Sequence, residues 1–478
     1  MKLLEGQELN KTRGLSMSVF KAYDIRGLAH SELDAEFAER LGKALATHLD
    51  AKTVAVASDI RESGPELHRA FLKGLNSAGT DVLDLGITTT GVLYRGTVDL
   101  PVDASVVITA SHNPPEYNGF KICNGTLPMA GQELQELKDT FDKNNFKEGN
   151  GSVKKVPNFE NDYLQTIVEN AGIPQRKIKI AIDCGNAVPG PLAIKLMKKL
   201  GVELIPVHCD WDNKFPNHPP DPTRPENMKD LAKAVVANSA EFGIGMDGDG
   251  DRIGVVDESG NFIHPDRLMT IFAKDILGER KGGTASERTV FFDVKCSMAL
   301  EDAITSAGGI PVMVRTGHSF MKRELRNNPD SPLAGEMSGH FFLNDRWPGF
   351  DDSLYNTARL LEIIGREPSP ENGGPLFSDW FADLPNYAST GEAKVPLIRE
   401  REETMKMVTN AFADMQKSTV DGVRVRYSDG WYLCRPSNTE PILVMRAEAT
   451  SKEGLEKIKN DVEYRLGSMI NLKKFHES

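Results

Sequence analysis

A strand, an aspartate, a loop of small residues, a helix, a glycine and a second strand follow one another three times along this chain. That recurrence restricts the fold more than any other feature. The first copy opens at residues 52–59 (KTVAVASD), passes through a helical stretch near 66–77 and Ala78-Gly79, and ends in a strand over 82–85. The second runs from 177–183 (KIKIAID) through a helix near 191–200 and Gly201 to a strand over 203–207. The third runs from 288–293 (RTVFFD) through a helix near 298–306 and Gly308-Gly309 to a strand over 311–314. Each is a βαβ unit, and such units build parallel or mixed sheets with helices on the faces. The glycine before each second strand reads as a helix C-cap. The period is too long for a solenoid, so the pattern predicts three similar mixed-sheet α/β domains and not one large sheet.

The tail follows another rhythm. Residues 423–427 and 442–446 read as strands, and Ser451 caps a helix with Leu455, Ile458, Val462 and Leu466 on one face. This predicts a smaller α+β domain. Breaker clusters at 149–152, 259–265 and 368–375 mark the expected joints. The expected division is an N-terminal extension over 1–19, α/β domains over 20–152, 153–260 and 261–370, and an α+β domain over 371–478, arranged around a central cleft.

Lys plus Arg number 57 against 69 Asp plus Glu, a net charge of −12 with no basic block. This argues against nucleic acid as the main partner. An acidic chain binds an anionic substrate only where it gathers cations and backbone donors locally. The five cysteines are scattered and never spaced Cys-x-x-Cys, so they read as reduced thiols of a cytoplasmic protein, and neither a disulfide frame nor a zinc site is expected from them. Residues 1–19 mix charges without an apolar core, and no apolar run approaches membrane-spanning length. The expected partner is therefore a small molecule, and the expected assembly a monomer or homodimer.

Four polar loops carry the chemistry. In 105–121 (SVVITASHNPPEYNGFK) an apolar β-branched run empties into Thr109-Ala110-Ser111-His112-Asn113, fixed by Pro114 and Pro115. That places a hydroxyl beside an imidazole at a sheet end, where open α/β sheets bind ligands, although a polar turn explains the same residues. Asp247-Gly248-Asp249-Gly250-Asp251-Arg252 sits between two strand-like runs. Its carboxylates converge only on a sharp turn, and their repulsion calls for a hard cation, Mg²⁺ or Ca²⁺. An EF-hand calcium-binding module is the competing reading, with Glu258 at the twelfth place. Arg252 stands where that motif needs glycine, however, and the flanks are strand-like. Arg252 beside the cation suggests an anion shared between the two. Gly335-Glu336-Met337-Ser338-Gly339-His340 suits recognition of sugar hydroxyls, since a glutamate accepts from two neighbouring OH groups. Residues 344–352 follow and can buttress that loop. Arg435-Pro436-Ser437-Asn438-Thr439-Glu440-Pro441 offers donors for a phosphate dianion. Near the start, Phe20-Lys21-Ala22-Tyr23-Asp24-Ile25-Arg26-Gly27 suits a phosphate or sugar contact through Tyr23 and Arg26, although by themselves these residues favour a plain turn.

Together these motifs resemble the α-D-phosphohexomutase family. TASHNP is similar to its phosphoserine loop, DGDGDR to its metal loop, GEMSGH to its sugar loop and RPSNTEP to its phosphate loop, in the family's order and one per domain. FKAYDIRG resembles its N-terminal motif, and only the extension before Phe20 falls outside the pattern. The GEMSGH form is similar to the bacterial phosphomannomutase/phosphoglucomutase branch, whereas phosphoglucosamine mutases usually carry Gln in place of Met337. The resemblance implies a mutase exchanging hexose 1-phosphate and hexose 6-phosphate through phosphorylated Ser111 and a hexose 1,6-bisphosphate, with Mg²⁺ held by Ser111, Asp247, Asp249 and Asp251. It implies cationic help from Arg252, Lys121 and Arg26, and proton transfer by His340, Lys121 or His112. Substrate contacts fall to Tyr23, Glu336, Met337, Ser338, Gly339, Arg435, Pro436, Ser437, Asn438 and Thr439, with Lys295 and His318 added from the third βαβ unit. It also implies a last domain that hinges. A phosphoglucosamine mutase and a metal-dependent phosphatase remain the alternatives.

Overall fold

The computed structural model describes residues 19–397, 399–437 and 442–478. All three repeats fold as βαβ units. They are Thr53–Ser58, Gly64–Ser77 and Asp81–Ile87; Lys179–Asp183, Gly190–Leu200 and Glu203–Val207; and Thr289–Asp293, Met298–Ser306 and Ile310–Val314, with each strand pair parallel. Gly79, Gly201 and Gly308 close the helices at φ +88°, +71° and +82°, a conformation that costs a residue without Cβ nothing.

Each repeat is the parallel half of a mixed sheet. The first sheet runs Ile25–Leu28, Tyr117–Asn124, Ala104–Ile108, Thr53–Ser58, Asp81–Ile87, Val153–Lys155, with Leu127–Pro128 beside Tyr117–Asn124. The second runs Phe262–Ile263, Ile253–Val256, Phe242–Met246, Lys179–Asp183, Glu203–Val207, and the third Ile310–Val314, Thr289–Asp293, Leu333–Gly335, Phe341–Leu343. The fourth unit holds a separate sheet around the antiparallel pair Gly430–Pro436 and Ile442–Ala449. Two sheets overrun the expected joints: Val153 lies opposite Val82 in the first, and Phe262 opposite Val256 in the second.

One regularity positions the site. In every unit an antiparallel strand pair is joined by one of the four polar loops: Ala104–Ile108 with Tyr117–Asn124, Phe242–Met246 with Ile253–Val256, Leu333–Gly335 with Phe341–Leu343, and Gly430–Pro436 with Ile442–Ala449. Pairing on both sides anchors each loop to rigid backbone.

The first and fourth units have cores of their own. The second and third share one, which Val92, Tyr94 and Cys123 of the first unit join. The helix Ser353–Ile364, almost wholly buried, packs on Phe159–Ala171, Gly190–Leu200 and Pro265–Glu279. Phe377 stacks on Phe242 with centroids 4.3 Å apart, and Phe377, Phe381 and Leu384 belong to that shared core. The fourth sheet begins only at Ala388, later than the breaker cluster suggests. Among the described residues no helix is long and apolar enough to cross a membrane.

Candidate active site

Three of the loops reach a cleft of about 870 Å³ whose wall includes Tyr23, Arg26, Ser111, His112, Lys121, Arg252, His318 and His340, and the fourth unit adds Lys394 from outside its loop. Ser111 sits at φ +51°, a left-handed conformation uncommon for a residue with a side chain. Its amide donates to Thr109 Oγ1 at 2.8 Å and its hydroxyl to Asp247 Oδ2 at 2.6 Å, with His112 Nδ1 at 3.1 Å. Burial, then the nearby Arg252, keeps the His112 ring well below the usual imidazole range. Arg26 Nη1 donates to Asn113 Oδ1 at 2.9 Å.

Arg61, which the motif reading did not single out, holds this loop. Wholly buried, it pairs with Asp59 at 3.1 Å and donates to the carbonyls of Ser111, Asn113, Pro114 and Tyr117 at 2.6 to 3.0 Å. Asp59 Oδ2 also accepts from Thr109 Oγ1 at 2.6 Å.

Beneath the serine, carboxylate oxygens of Asp247, Asp249 and Asp251 lie within 4.8 Å of one another. Asp247 Oδ1 accepts the amides of Asp251 and Arg252 at 2.9 and 3.0 Å, which folds the loop back on itself. A Cβ on Gly248 would stand 2.2 Å from the Ser111 carbonyl oxygen, so only glycine lets the two loops touch. Lys121 Nζ donates to Asp249 and Asp251 at 2.5 Å each, and Thr90 Oγ1 to Asp249 at 2.6 Å. Burial and mutual repulsion push Asp247 well above the usual carboxylate range. The same burial opposes ionisation of Asp249 and Asp251, yet Lys121 holds both below it. Asp249 Oδ1 and Asp251 Oδ1 are buried and accept no hydrogen bond. Hard oxygens with unused lone pairs fit a divalent cation. The flanks are strands, and Glu258 is bonded to Ser378 Oγ at 2.6 Å, so the EF-hand reading is set aside.

Arg252 Nε donates to His340 Nε2 at 3.0 Å. His340 Nδ1 faces Asp351 Oδ2 at 3.0 Å, and His318, stacked on His340, stands 3.7 Å from the same oxygen. Lys322 takes the other Asp351 oxygen at 2.7 Å and Tyr94 OH at 2.9 Å. Burial, then Lys322, holds His318 well below the usual imidazole range, and Tyr23 packs edge-on against it.

Lys295, Glu336 and Arg435 form a second group where the third and fourth units meet. Glu336, raised above the usual range by burial, accepts the Gly317 amide at 2.5 Å. Gly339 at φ +81° turns the loop so that His340 faces the cleft, leaving Met337 and Ser338 half-buried. Lys295 donates to Glu392 at 3.0 Å. Arg435 Nε and the Thr316 amide share Asp421 Oδ2 at 2.8 and 3.0 Å. Pro436 ends its strand, and the Ser437 amide donates to the Ile442 carbonyl at 2.8 Å. Asn438 and Thr439 lie outside the described residues. Asp59 and Asp293 are the aspartates of the repeats themselves. Asp293 accepts from Thr316 Oγ1 at 3.0 Å and from the Met337 amide at 3.3 Å, so the repeat carried a positional signal that its spacing alone did not explain.

Such a site is suited to moving a phosphoryl group, which places the chain among phosphoryl-transferring enzymes. Comparison with known proteins narrows this. Family models of phosphoglucomutase/phosphomannomutase match in succession: alpha/beta/alpha domain I over residues 17–148, domain II over 161–260, domain III over 264–375 and the C-terminal domain over 395–464. The chain is 41% identical to a phosphomannomutase/phosphoglucomutase of Pseudomonas aeruginosa, over 94% of this chain and 95% of the relative. It is 40% identical to a phosphoglucomutase of Neisseria gonorrhoeae, over 93% and 96%. A crystal structure of a phosphoglucomutase/phosphomannomutase family protein from Burkholderia thailandensis superposes with a TM-score of 0.86 at 41% identity, covering 95% of this chain and 98% of the other. The chain belongs to the α-D-phosphohexomutase family, bacterial type, and is an isomerase of the phosphotransferase kind.

Proposed function

We propose that this enzyme interconverts hexose 1-phosphate and hexose 6-phosphate, with mannose or glucose as the sugar, through phosphorylated Ser111 and a hexose 1,6-bisphosphate. The observation that carries the reading is the 2.6 Å bond from Ser111 Oγ into the three-aspartate cluster. A hydroxyl there, with an imidazole beside it and guanidiniums across the cleft, is positioned to carry a phosphoryl group. Asp247, Asp249 and Asp251, with one phosphoserine oxygen, would hold Mg²⁺, which when bound neutralises charge on the group in transfer.

The sugar's free hydroxyl attacks the phosphorus on Ser111. The new O–P bond forms as P–Oγ breaks; His340, Lys121 and His112 are the candidates for general base, taking the hydroxyl proton, and for general acid, returning a proton to Ser111 Oγ. Arg252, Lys121 and Arg26 meet the negative charge of the transferring group. Arg435, Pro436, Ser437, Asn438 and Thr439 grip the substrate's standing phosphate. Glu336 and Ser338 hold ring hydroxyls, with Met337 and Gly339 shaping that loop, and Tyr23, Lys295 and His318 complete the contacts. The bisphosphate turns over in the cleft and returns its other phosphate to Ser111.

The test is a coupled assay with Mg²⁺ and a trace of hexose 1,6-bisphosphate, offering mannose 1-phosphate and glucose 1-phosphate separately. Isomerisation that collapses in Ser111→Ala is the expected result. Turnover of glucosamine phosphate alone would redirect the substrate assignment, and release of free phosphate would overturn the mechanism.

A further inference from the structure

Outside the four loops, Asp183, His208 and His218 bring one carboxylate oxygen and two imidazole nitrogens within 4.8 Å of one another. The sheet puts them there. Asp183 ends the strand Lys179–Asp183, its register partner Val207 ends the parallel neighbour, and His208 follows directly. Ligands collect at such carboxyl ends. His218 arrives from the proline-rich segment that runs on to Pro219 and Asp221 at the cleft wall.

The protonation pattern of His218 is informative. Its Nδ1 lies 2.8 Å from the Pro219 carbonyl oxygen, which can only accept, so Nδ1 carries a hydrogen. Its Nε2 lies 3.1 Å from Asp183 Oδ2, and an ionised carboxylate also only accepts. A neutral ring would thus set lone pair against lone pair, so the contact takes either a second ring proton or a bound cation between the two atoms. His208 offers a second nitrogen, with its ring 5.5 Å from that of His218, and Asp230 stands 3.4 Å from His208 Nε2. Ligands on a tetrahedral ion with bonds near 2.0–2.1 Å sit about 3.3 Å apart, close to the 3.1 Å between His218 Nε2 and Asp183 Oδ2. Asp183 Oδ1 is fixed by the Gly185 amide at 2.8 Å, and the Pro219 carbonyl sets the His218 tautomer as outer partners of metal ligands do. The histidine side chains are 21% and 15% exposed, which leaves an entry path.

We propose that Asp183, His208 and His218 form a site for a first-row transition metal ion of the Zn²⁺ class, with a water or Asp230 completing the shell. Imidazole donors distinguish it from the all-oxygen cluster beneath Ser111. The ion clips the segment carrying Pro219 and Pro220 to the sheet. A Cβ on Gly248 would stand 3.3 Å from Pro220 Cγ, so the clip braces the acidic loop from behind.

The test uses the full-length protein, stripped by a chelator and dialysed against Zn²⁺ with excess Mg²⁺, which keeps the hard-oxygen site filled. Metal analysis should find about one zinc retained per chain, with affinity falling at least roughly tenfold in His208→Gln and in His218→Gln and unchanged in Asp249→Asn. Co²⁺ added to the wild-type protein should show the visible bands of nitrogen-ligated, low-coordinate cobalt, a readout that needs no variant to fold. Zinc displaced wholly by Mg²⁺, or retained equally by His208→Gln, would overturn the proposal and leave His218 and Asp183 as a proton-bridged pair.

Discussion

Arg61 holds Ser111 in place without lining the cleft. Five of its contacts, to Asp59 and four carbonyls, fix a loop whose central residue occupies an unfavourable backbone region. Lysine keeps the charge but not the fork of donors, so Arg61→Lys should lower kcat about a hundredfold, the usual effect of a small misplacement of reacting groups, with a smaller change in KM. Steady-state kinetics checks this. Arg61→Ala should also destabilise the fold by about 3–5 kcal/mol, because Asp59 becomes a buried unpaired charge, measurable by denaturant unfolding. Gly248→Ala should abolish turnover while the chain still folds, since the added carbon meets the Ser111 carbonyl; circular dichroism beside the assay separates the two effects. The candidate site residues were legible because each motif concentrates unusual side chains in one short loop. Arg61 was not, because its role is defined by carbonyls about fifty positions away, and an isolated arginine after a strand has no distinguishing pattern.

Elements were the most legible scale. The repeats announced themselves through β-branched runs, terminal aspartates and capping glycines, and Ser451 caps its helix through the Gly454 amide as its type predicts. What sequence did not show is that every site loop joins an antiparallel pair, since such pairing depends on partners whose register is not written locally. The helix Ser353–Ile364 has a further property of this kind. Its cap, Asp352, accepts the Leu354 and Tyr355 amides and the Tyr163 hydroxyl, and burial raises it to about 6. The folded chain thus binds a proton more tightly than the unfolded one. This contribution is complete below the ordinary aspartate pKa and is lost as pH rises through about 6. Relative to Asp352→Asn, the wild-type protein should be about 1 kcal/mol more stable at pH 5 than at pH 7, as thermal unfolding across that window will show.

At the scale of the whole molecule, the joints differ in kind. The second and third units share a continuous apolar core. The third and fourth meet through polar ties such as Lys295 with Glu392 and Arg424 with Glu301, plus a small cluster of Val294, Trp431 and Leu433. Sugar phosphate should therefore draw in the fourth unit alone, decreasing the radius of gyration in small-angle scattering; identical profiles with and without it would exclude a hinge there. Hydrogen exchange should show the second and third units opening together and the fourth separately. The breaker cluster at 368–375 misled on this joint because prolines mark a bend in the chain, not the edge of a core. The shared core also sets a condition on how the protein is made. Phe242 emerges from the ribosome roughly 140 residues before Leu384, the last of its core partners in the chain, which at 5–20 residues per second is a delay on the order of ten seconds. During that interval the apolar face of the half-made second unit stays uncovered, so this stretch of the nascent chain is where chaperone binding should concentrate.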